Sequence, residues 1–333
     1  MRKYLVRFFG IAALAMGFLM PGSAAHALTV SPPYFDYRLN PGDTVLDVVK
    51  LYNESQEDLT VWPILKNFTA DDKEGGAPLF YEPDQDKGGT QLAQWITVSK
   101  EPVQIKAGER ANITFAVNIP KERAQPGGHF GAIMLSLQPP DVKTGVGIGS
   151  QIAALILVNV SGEVREVGSI AEFGFKKPQV WYNHLPVDFF LRFENSGNTH
   201  LRPVGNLFIK NWYGRQVASI RLNEDFRSVL PQSIRRFEFT WKNMDNQEGW
   251  SGLKNEWQNF GLGRYRAMLV ANYGTKNQVL IEEREFSVWP WRLMLIGTGG
   301  LAVLILLLWV ATKAYNKSII RKYEKMRNKT GQK

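Results

Sequence analysis

The sequence predicts an all-β chain, built as two tandem antiparallel β-sandwiches and followed by one transmembrane α-helix. Residues 293–312 form an uncharged apolar run near the C-terminus. The region before this run contains short segments rich in Val, Ile, Phe, Leu and Thr, separated by Pro, Gly, Asn and Asp, as is typical of strands and turns. The order of these segments repeats once along the chain, which indicates two sandwiches.

About six or seven strands are predicted in each half, and no segment of residues 28–288 shows a helical period over three turns; ten clear examples of strands follow. In the first half the strands lie at residues 44–52, 59–65, 111–119, 130–137 and 152–160. In the second half they lie at residues 187–193, 206–209, 235–241, 265–271 and 279–286. Alternation is clearest where Ile113, Phe115 and Val117 share one face, which predicts a half-buried strand.

The internal repeat supports the division into two sandwiches. The first copy reads VVKLYNESQEDLTV, VQIKAGERANITFAV and GGHFGAIMLS, and the second reads FFLRFENSGNTHLRP, VLPQSIRRFEFTW and GLGRYRAMLVA. In each copy the first segment contains two strands joined by an Asn-centred turn. The second segment is a turn that leads into an Arg-bearing strand, and the third is a strand that begins with Gly. Asn tolerates the left-handed backbone of such turns. We assign residues 28–166 to the first sandwich and residues 167–288 to the second.

The two ends of the chain predict its membrane topology. A helix over residues 293–312 is about 30 Å long, which matches the hydrocarbon core of a bilayer. Residues expected at the membrane interface are Trp289, Trp291, Trp309 and Lys313. Residues 313–333 are strongly basic, and residues 1–27 have the basic head, apolar run and Ala-His-Ala site of a signal peptide. We therefore expect a cleaved signal, an extracellular N-terminal region and a cytoplasmic tail; an uncleaved anchor is the alternative.

The charge balance argues against nucleic acid as a partner, although the whole chain carries a net charge of +9. Residues 1–27 carry +3, Arg292 +1 and residues 313–333 +7, which leaves about −2 for residues 28–291. The basicity is therefore a topology signal. Cysteine is absent, so the extracellular region would fold without disulfides, and we interpret the chain as a bacterial cell-membrane protein of the single-pass type I class.

A family resemblance rests on particular segments in each half. PYFDYRLNPGDTVLDVVKLYNES, LAQWITVSKEPVQIKAGERANITFAVNIP and IAALILVNVSGEV resemble the first Ig-like domain of bacterial WxL-interacting proteins, also called WxL-protein peptidoglycan-domain proteins. FENSGNTHLRPVGNLFIKNWYGRQV, VLPQSIRRFEFTW and FGLGRYRAMLVANYG resemble their second, membrane-proximal Ig-like domain. The resemblance covers nearly all of residues 28–312. It implies peptidoglycan association for the first domain and partner proteins for the second, while the long loops 67–95 and 243–260 depart from the family pattern.

The chain shows no constellation for catalysis, so we expect a non-enzyme with no cofactor and no metal. His129, His184 and His200 lie in turn-like contexts without metal-ligand spacing, and neither G-x-S-x-G nor H-E-x-x-H occurs. Asp84 and Asp86 begin a pattern similar to a calcium loop, but Trp95 stands at position twelve, where a bidentate Glu belongs.

Aromatic residues are the candidate ligand contacts. In loop 243–260 these are Trp250, Trp257 and Phe260, and in the first sandwich they are Phe80, Tyr81 and Trp95. Aromatic rings can stack on sugars, but they can equally close the end of a sandwich, and loop 243–260 could also rest on lipid headgroups. The favoured hypothesis is a membrane-anchored binding or scaffold protein that contacts cell-wall glycan, in particular peptidoglycan, or a surface protein. The alternative is an accessory or sensor subunit that acts through its cytoplasmic tail.

Overall fold

The computed structural model describes residues 28–71, 73–85, 89–122, 124–139, 151–242 and 252–330. The predicted signal peptide and Trp250 lie outside these ranges. The chain divides into two compact units, one formed by Met1–Asp71 with Ala77–Arg165 and the other by Asp72–Gly76 with Glu166–Lys333.

The first unit consists of two β-sheets with ten strands in chain order. These are β1 (Leu28–Ser31), β2 (Tyr34–Leu39), β3 (Thr44–Asn53), β4 (Leu59–Ala70), β5 (Pro78–Tyr81), β6 (Ile96–Val98), β7 (Val103–Ile105), β8 (Arg110–Asn118), β9 (Gly127–Ser136) and β10 (Gln151–Val160). One sheet has the order β1-β3-β8-β6. The other has the order β2-β10-β9-β4-β5, and β7 also pairs with β4.

The second unit also consists of two sheets, and it carries both α-helices of the described residues, whereas the first unit contains one short 3-10 helix (Ala93–Trp95). Its strands are β11 (Gly168–Phe175), β12 (Trp181–Tyr182), β13 (Val187–Asn195), β14 (Val204–Asn211), β15 (Gln216–Leu222), β16 (Ser233–Trp241), β17 (Gly263–Tyr273) and β18 (Gln278–Val288). The sheet orders are β11-β13-β16 and β12-β18-β17-β14-β15. The helices are the short α1 (Leu253–Gln258), which the sequence pattern did not predict, and the long α2 (Trp291–Thr330).

The repeat in the sequence corresponds to a repeat in strand pairing. The antiparallel pairs β1–β3 and β3–β8 of the first unit match β11–β13 and β13–β16 of the second. The series β10-β9-β4-β5 likewise matches β18-β17-β14-β15. One part of the prediction is wrong: the sandwiches are not purely antiparallel, because β2 runs parallel to β10 and β12 runs parallel to β18. Parallel pairing depends on the path of the chain between the sheets, which strand periodicity does not encode.

Each unit has its own apolar core, formed by alternating residues of facing strands. In the first unit Val49, Leu51, Phe115 and Ile156 are among its fully buried members. Along β8, Ile113, Phe115 and Val117 are buried while their neighbours are more exposed, so the predicted alternation is confirmed. The core of the second unit is richer in aromatic rings. Mostly β-sheet structure with one long C-terminal apolar helix is thus confirmed.

Helix α2 extends further than the apolar run that predicted it. It contains 40 residues, a length of about 60 Å at 1.5 Å per residue, roughly twice the hydrocarbon thickness of a bilayer. Its segment Trp291–Tyr323 is long and apolar enough to cross a membrane, and none of its most apolar part is buried against the protein. The predicted basic tail therefore continues the same helix to Thr330.

Candidate functional site

The most distinctive site lies where β18 of the second unit leads into α2. Only Trp289 and Pro290 separate the strand from the helix. The peptide N–H of Trp289 donates to the carbonyl oxygen of Tyr182 over 2.7 Å, which extends the β12–β18 pairing into the connection. The carbonyl oxygen of Pro290 then accepts from the N–H of Met294 and begins the helix. The chain thus enters α2 without a flexible linker.

Glu256 of α1 caps the N-terminus of α2. Its Oε2 atom accepts hydrogen bonds from the backbone N–H groups of Arg292, at 3.0 Å, and Leu293, at 3.1 Å. These N–H groups belong to the first turn, which has no partner within the helix, and the positive end of the helix dipole favours an anion there. The Glu256 side chain is 1% exposed, and the Arg292 guanidinium lies 3.9 Å from its other oxygen. Helix α1 is therefore attached to α2 through a buried carboxylate.

An aromatic cluster lies beneath this junction. The ring of Phe286 on β18 lies 5.6 Å from those of Phe189 and Tyr265 and 5.8 Å from that of Trp241, measured between centroids. Burial, together with the Asp188 carboxylate, raises the pKa of the adjacent Tyr182 to about 12, so the phenol stays protonated at neutral pH. Closely packed rings of this kind form a stiff support for the loops above them.

A group of exposed rings surrounds the start of α2, and we refer to it as the aromatic rim. It consists of Trp181, Trp212, Tyr213, Trp257 and Phe260. The three tryptophans are 70%, 73% and 73% exposed, respectively. Phe226 is the one other exposed aromatic side chain in the described part of the second unit before α2, and it lies at the opposite end of the sandwich.

Strand register brings the rim together from distant parts of the sequence. Trp181 pairs with Ser287 near the end of β18, and Gly263 at the start of β17 pairs with Val288. Asn211 at the end of β14 pairs with Tyr265, so the turn that follows β14 reaches the same end. The loop containing α1 precedes β17 and reaches it as well.

The turn after β14 positions two of the rings. The N–H of Gly214 donates to the carbonyl oxygen of Asn211, and the Asn211 side chain accepts from the N–H of Arg215. Gly214 has a φ of +82°, which glycine adopts without the strain that a side chain would cause. Trp212 and Tyr213 project from this turn with their rings edge to face, 4.9 Å between centroids.

Two hollows with basic linings lie beside the rim. One has a volume of about 200 Å³ and is lined by Lys177, His184 and Asp188 among others. The other, of about 260 Å³, lies against Trp212 and is lined by Lys210, Arg264 and Arg266 among others. Each lining also contains one acid, Asp188 in the first hollow and Glu285 in the second.

The residues predicted for the membrane interface lie at the two ends of the apolar run. Trp291 and Trp309 are exposed on α2, and Trp289 is half-buried beside the sandwich. The Arg292 guanidinium lies 5.2 Å from the centroid of the Trp291 ring, and the Lys313 ammonium lies 4.7 Å from that of Trp309. A cation beside an indole ring is the arrangement expected at a bilayer surface.

The aromatic residues predicted as ligand contacts in the first unit lie mostly in its interior. Tyr81 is 5% exposed, and Phe80 is half-buried with its ring 6.1 Å from that of Phe68. Trp95 packs on His129, 4.4 Å between ring centroids. These positions leave little aromatic surface for a sugar. In the second unit, Trp257 and Phe260 are exposed and belong to the rim.

His129 is buried between two backbone carbonyl groups. Its Nε2 atom lies 2.8 Å from the oxygen of Gln125, and its Nδ1 atom lies 3.1 Å from the oxygen of Gln91. Burial lowers the pKa of His129 below its usual value, despite the two carbonyl groups, which favour the protonated form. The prediction of a turn context is wrong for His129, because the residue lies in β9 and is buried, and its ring joins that strand to the backbone at Gln91 and Gln125.

Sequence reasoning missed part of the rim and the cap. Trp181, Trp212 and Tyr213 carry a readable signal, because each is a large ring in a turn or at a strand end. Glu256 carries no such signal, because nothing in the local sequence distinguishes it from a solvated acid. Its role depends on α1 packing against the start of α2.

Comparison with known proteins gives no assignment. No protein-family model matches the sequence, and no curated protein matches it either. Among solved structures, the class 5 fimbriae chaperone CfaA is 12% identical, with 78% of this chain and 99% of that chain covered and a TM-score of 0.36. The E. coli chaperone DraB is 10% identical, with coverages of 79% and 97% and a TM-score of 0.31. A chaperone–tip adhesin subunit complex of Csu pili from Acinetobacter baumannii is 15% identical, with coverages of 63% and 89% and a TM-score of 0.31. Similarities this low carry no argument about the function of this chain.

Proposed function

We propose that this protein is a non-catalytic, membrane-anchored surface protein that presents β-sandwich units as a binding scaffold. The observation that carries this proposal is the direct connection of β18 to α2, made rigid by the Tyr182–Trp289 hydrogen bond and the Glu256 cap. A protein that only needed to stay near a membrane would not require this connection. The rigid connection suits a protein that holds a binding surface at a set distance from the bilayer.

For the ligand we propose a cell-wall glycan, with a surface protein as the alternative partner. The sequence resemblance to WxL-interacting proteins implies peptidoglycan binding by the first unit, and an Ig-like fold for both units is compatible with their repeated strand pairing. We accordingly propose that the protein is bacterial and of type I, with the sandwiches outside the cell.

The outer face of the β1-β3-β8-β6 sheet is the contact surface that we favour. Leu46 on β3 is 72% exposed there. Beside it, Thr44 donates to the Asn118 side chain over 3.1 Å. Six residues further along β3, the Arg110 guanidinium lies 5.4 Å from the centroid of the Tyr52 ring. A sheet face that carries an exposed leucine together with amide, hydroxyl and aromatic groups suits a polysaccharide chain or a protein surface.

Pelleting with insoluble peptidoglycan tests this proposal. Full-length protein in detergent micelles would be mixed with protein-free peptidoglycan over a salt series. We expect saturable pelleting, and Leu46→Arg should reduce it at least fivefold. The control is Leu79→Arg, which changes an exposed leucine on the edge strand β5 and should leave pelleting unchanged. No pelleting would rule out the glycan, and crosslinking to a surface protein through the same face would then identify the alternative partner.

The second candidate function is that of an accessory or sensor subunit acting through its tail. The observation that favours it is the continuation of α2 to Thr330, well beyond the length needed to cross a bilayer. Lys313, Lys317 and Arg321 follow each other at four-residue spacing and therefore share one side of this extension. A cytosolic protein that crosslinks to residues 313–323 in cells and is lost after their substitution would support this function.

A further inference from the structure

We propose that the α2 end of the second unit is seated in the lipid headgroup layer, with the aromatic rim as its contact surface. The expected ligand is the phosphate-bearing interface of a glycerophospholipid bilayer. This inference rests on the proposed function in one respect: it takes α2 to span a membrane. It goes further in assigning a lipid-binding role to the sandwich itself.

The first argument is the uneven distribution of exposed rings. Single exposed apolar side chains are ordinary on a protein surface, but their concentration at one end of a domain indicates a contact surface. In the described part of the second unit before α2, every exposed tryptophan lies in the rim. The rings come from the segment at β12, the turn after β14 and the segment around α1, so no single apolar sequence motif accounts for their meeting.

The second argument is the position of the rim relative to the apolar run. Glu256 bonds to the N–H of Leu293, where the uncharged run begins, and Trp257 is the next residue in α1. A bilayer that surrounds the apolar part of α2 therefore brings its headgroups close to Trp257. Tryptophan and tyrosine favour this depth because one part of each side chain is apolar and the other forms hydrogen bonds.

The third argument is charge. Lys177, Arg215 and Arg264 are exposed at the same end of the sandwich. Of the acids at this end, Glu256 is buried at the start of α2 and Glu285 pairs with Arg266 at 2.9 Å. Asp188, which lines the same hollow as Lys177, accepts a hydrogen bond from Thr240. Exposed cations next to aromatic rings match the phosphate and glycerol groups of an anionic lipid surface.

The continuity of the rim with α2 favours lipid over a protein partner. A protein that covered the rim would have to enter the headgroup layer, because β18 and the helix are joined by two hydrogen-bonded residues rather than by a linker. A second copy of this chain, lying beside the first in the membrane, is the occupant that the experiment must distinguish from lipid.

The absence of cysteine from the chain makes site-specific spin labelling direct. Full-length Tyr213→Cys and Phe260→Cys would each carry a nitroxide in nanodiscs of mixed phosphatidylcholine and phosphatidylglycerol. The matched control is Phe226→Cys, because Phe226 is 56% exposed and lies at the opposite end of the sandwich. Relative accessibility to membrane-soluble oxygen and to a water-soluble nickel chelate reports the depth of each label.

We expect the oxygen-to-nickel accessibility ratio at positions 213 and 260 to exceed that at position 226 at least threefold. Equal ratios at all three positions would overturn the proposal. Strong spin–spin coupling between labels at position 213, with a low oxygen ratio, would also overturn it and assign the rim to a second copy.

A label at Leu304→Cys, in the middle of the apolar run, separates failure of this inference from failure of the proposed function. If that label is accessible to the nickel chelate, α2 does not span the bilayer and both proposals fail. If it is accessible only to oxygen while the rim labels remain in water, the anchor stands and the inference alone fails. Peptidoglycan pelleting measured on the same variants should be unchanged, because the proposed glycan face belongs to the first unit.

Discussion

Asn53 and Asn195 make matching sets of hydrogen bonds in the two units. The Nδ2 atom of Asn53 donates to the carbonyl oxygen of Glu57, and that of Asn195 donates to the carbonyl oxygen of Thr199, at 2.7 and 2.8 Å. Each amide also donates to a carbonyl oxygen in the segment ahead of the Arg-bearing strand. The acceptor is Ile105, the last residue of β7, in the first unit and Val229 in the second. Both side chains are fully buried, so each unit closes one end around a single asparagine.

Replacing either asparagine by aspartate should therefore destabilise its unit strongly. Asn53→Asp or Asn195→Asp keeps the shape but removes the N–H donors, which leaves buried carbonyl oxygens unpaired at a cost of about 2–3 kcal/mol. Denaturant unfolding followed by tryptophan fluorescence in micelles measures the change. The control is Asn112→Asp on the exposed face of β8, for which we expect a change within about 0.5 kcal/mol. Equal effects at all three positions would contradict the prediction.

Removing the Glu256 carboxylate should loosen the first turn of α2. Glu256→Gln loses the charge that pairs with the helix dipole, and Glu256→Ala loses the hydrogen bonds as well, with an expected cost of about 1 kcal/mol. Hydrogen exchange of the Arg292 and Leu293 amides should then accelerate roughly fivefold in Glu256→Ala. The exposed acid Glu224 provides the control: Glu224→Ala should leave these amides protected. Unchanged exchange in Glu256→Ala would show that the cap contributes nothing.

Acid should destabilise the first unit through His129. Because burial lowers the folded-state pKa of His129, the neutral form contributes stability that is present in full above the unfolded value of 6.5 and is lost as the pH falls through the lowered pKa. The melting temperature of the wild-type protein should therefore fall more steeply below pH 6.5 than that of His129→Gln. His184, which is only partly buried and lies in the second unit, is the control, and a His184→Gln variant should follow the wild-type curve; parallel curves for all three proteins would contradict the prediction.

The basic residues after the apolar run should determine the orientation of the chain. The positive-inside rule places the side richer in Lys and Arg in the cytoplasm. Changing Lys313, Lys317, Arg321 and Lys322 to glutamate should yield a substantial inverted fraction in cells. Labelling of Thr275→Cys, on the turn between β17 and β18, with a membrane-impermeant maleimide measures it. The matched control replaces each of these four Lys residues by Arg and each Arg by Lys, and it should keep the wild-type orientation. An unchanged orientation in the glutamate variant would show that other features set the topology.

Much of the fold could be predicted because its signals are local. All ten strands located from the sequence are present, from β3 to β18, since long half-buried strands repeat apolar residues at a period of two. Three strands that were not located from the sequence, β2, β11 and β15, have six, eight and seven residues. Others, such as β5, β7 and β12, are only two to four residues long. Such segments contain too few residues to show a period, and their pairing comes from neighbouring strands.

The β class, the repeat and the apolar helix follow from the order of residues along the chain, because strand period and unbroken apolar length are properties of consecutive residues. Which aromatic residues lie together depends instead on the tertiary structure. Tyr81 faces inward, whereas Trp181, Trp212 and Trp257, far apart in sequence, surround the start of α2. The same holds for Glu256, which caps α2 because α1 lies against the start of that helix. These outcomes depend on strand register and on packing between distant segments, and neither is encoded in the order of neighbouring residues.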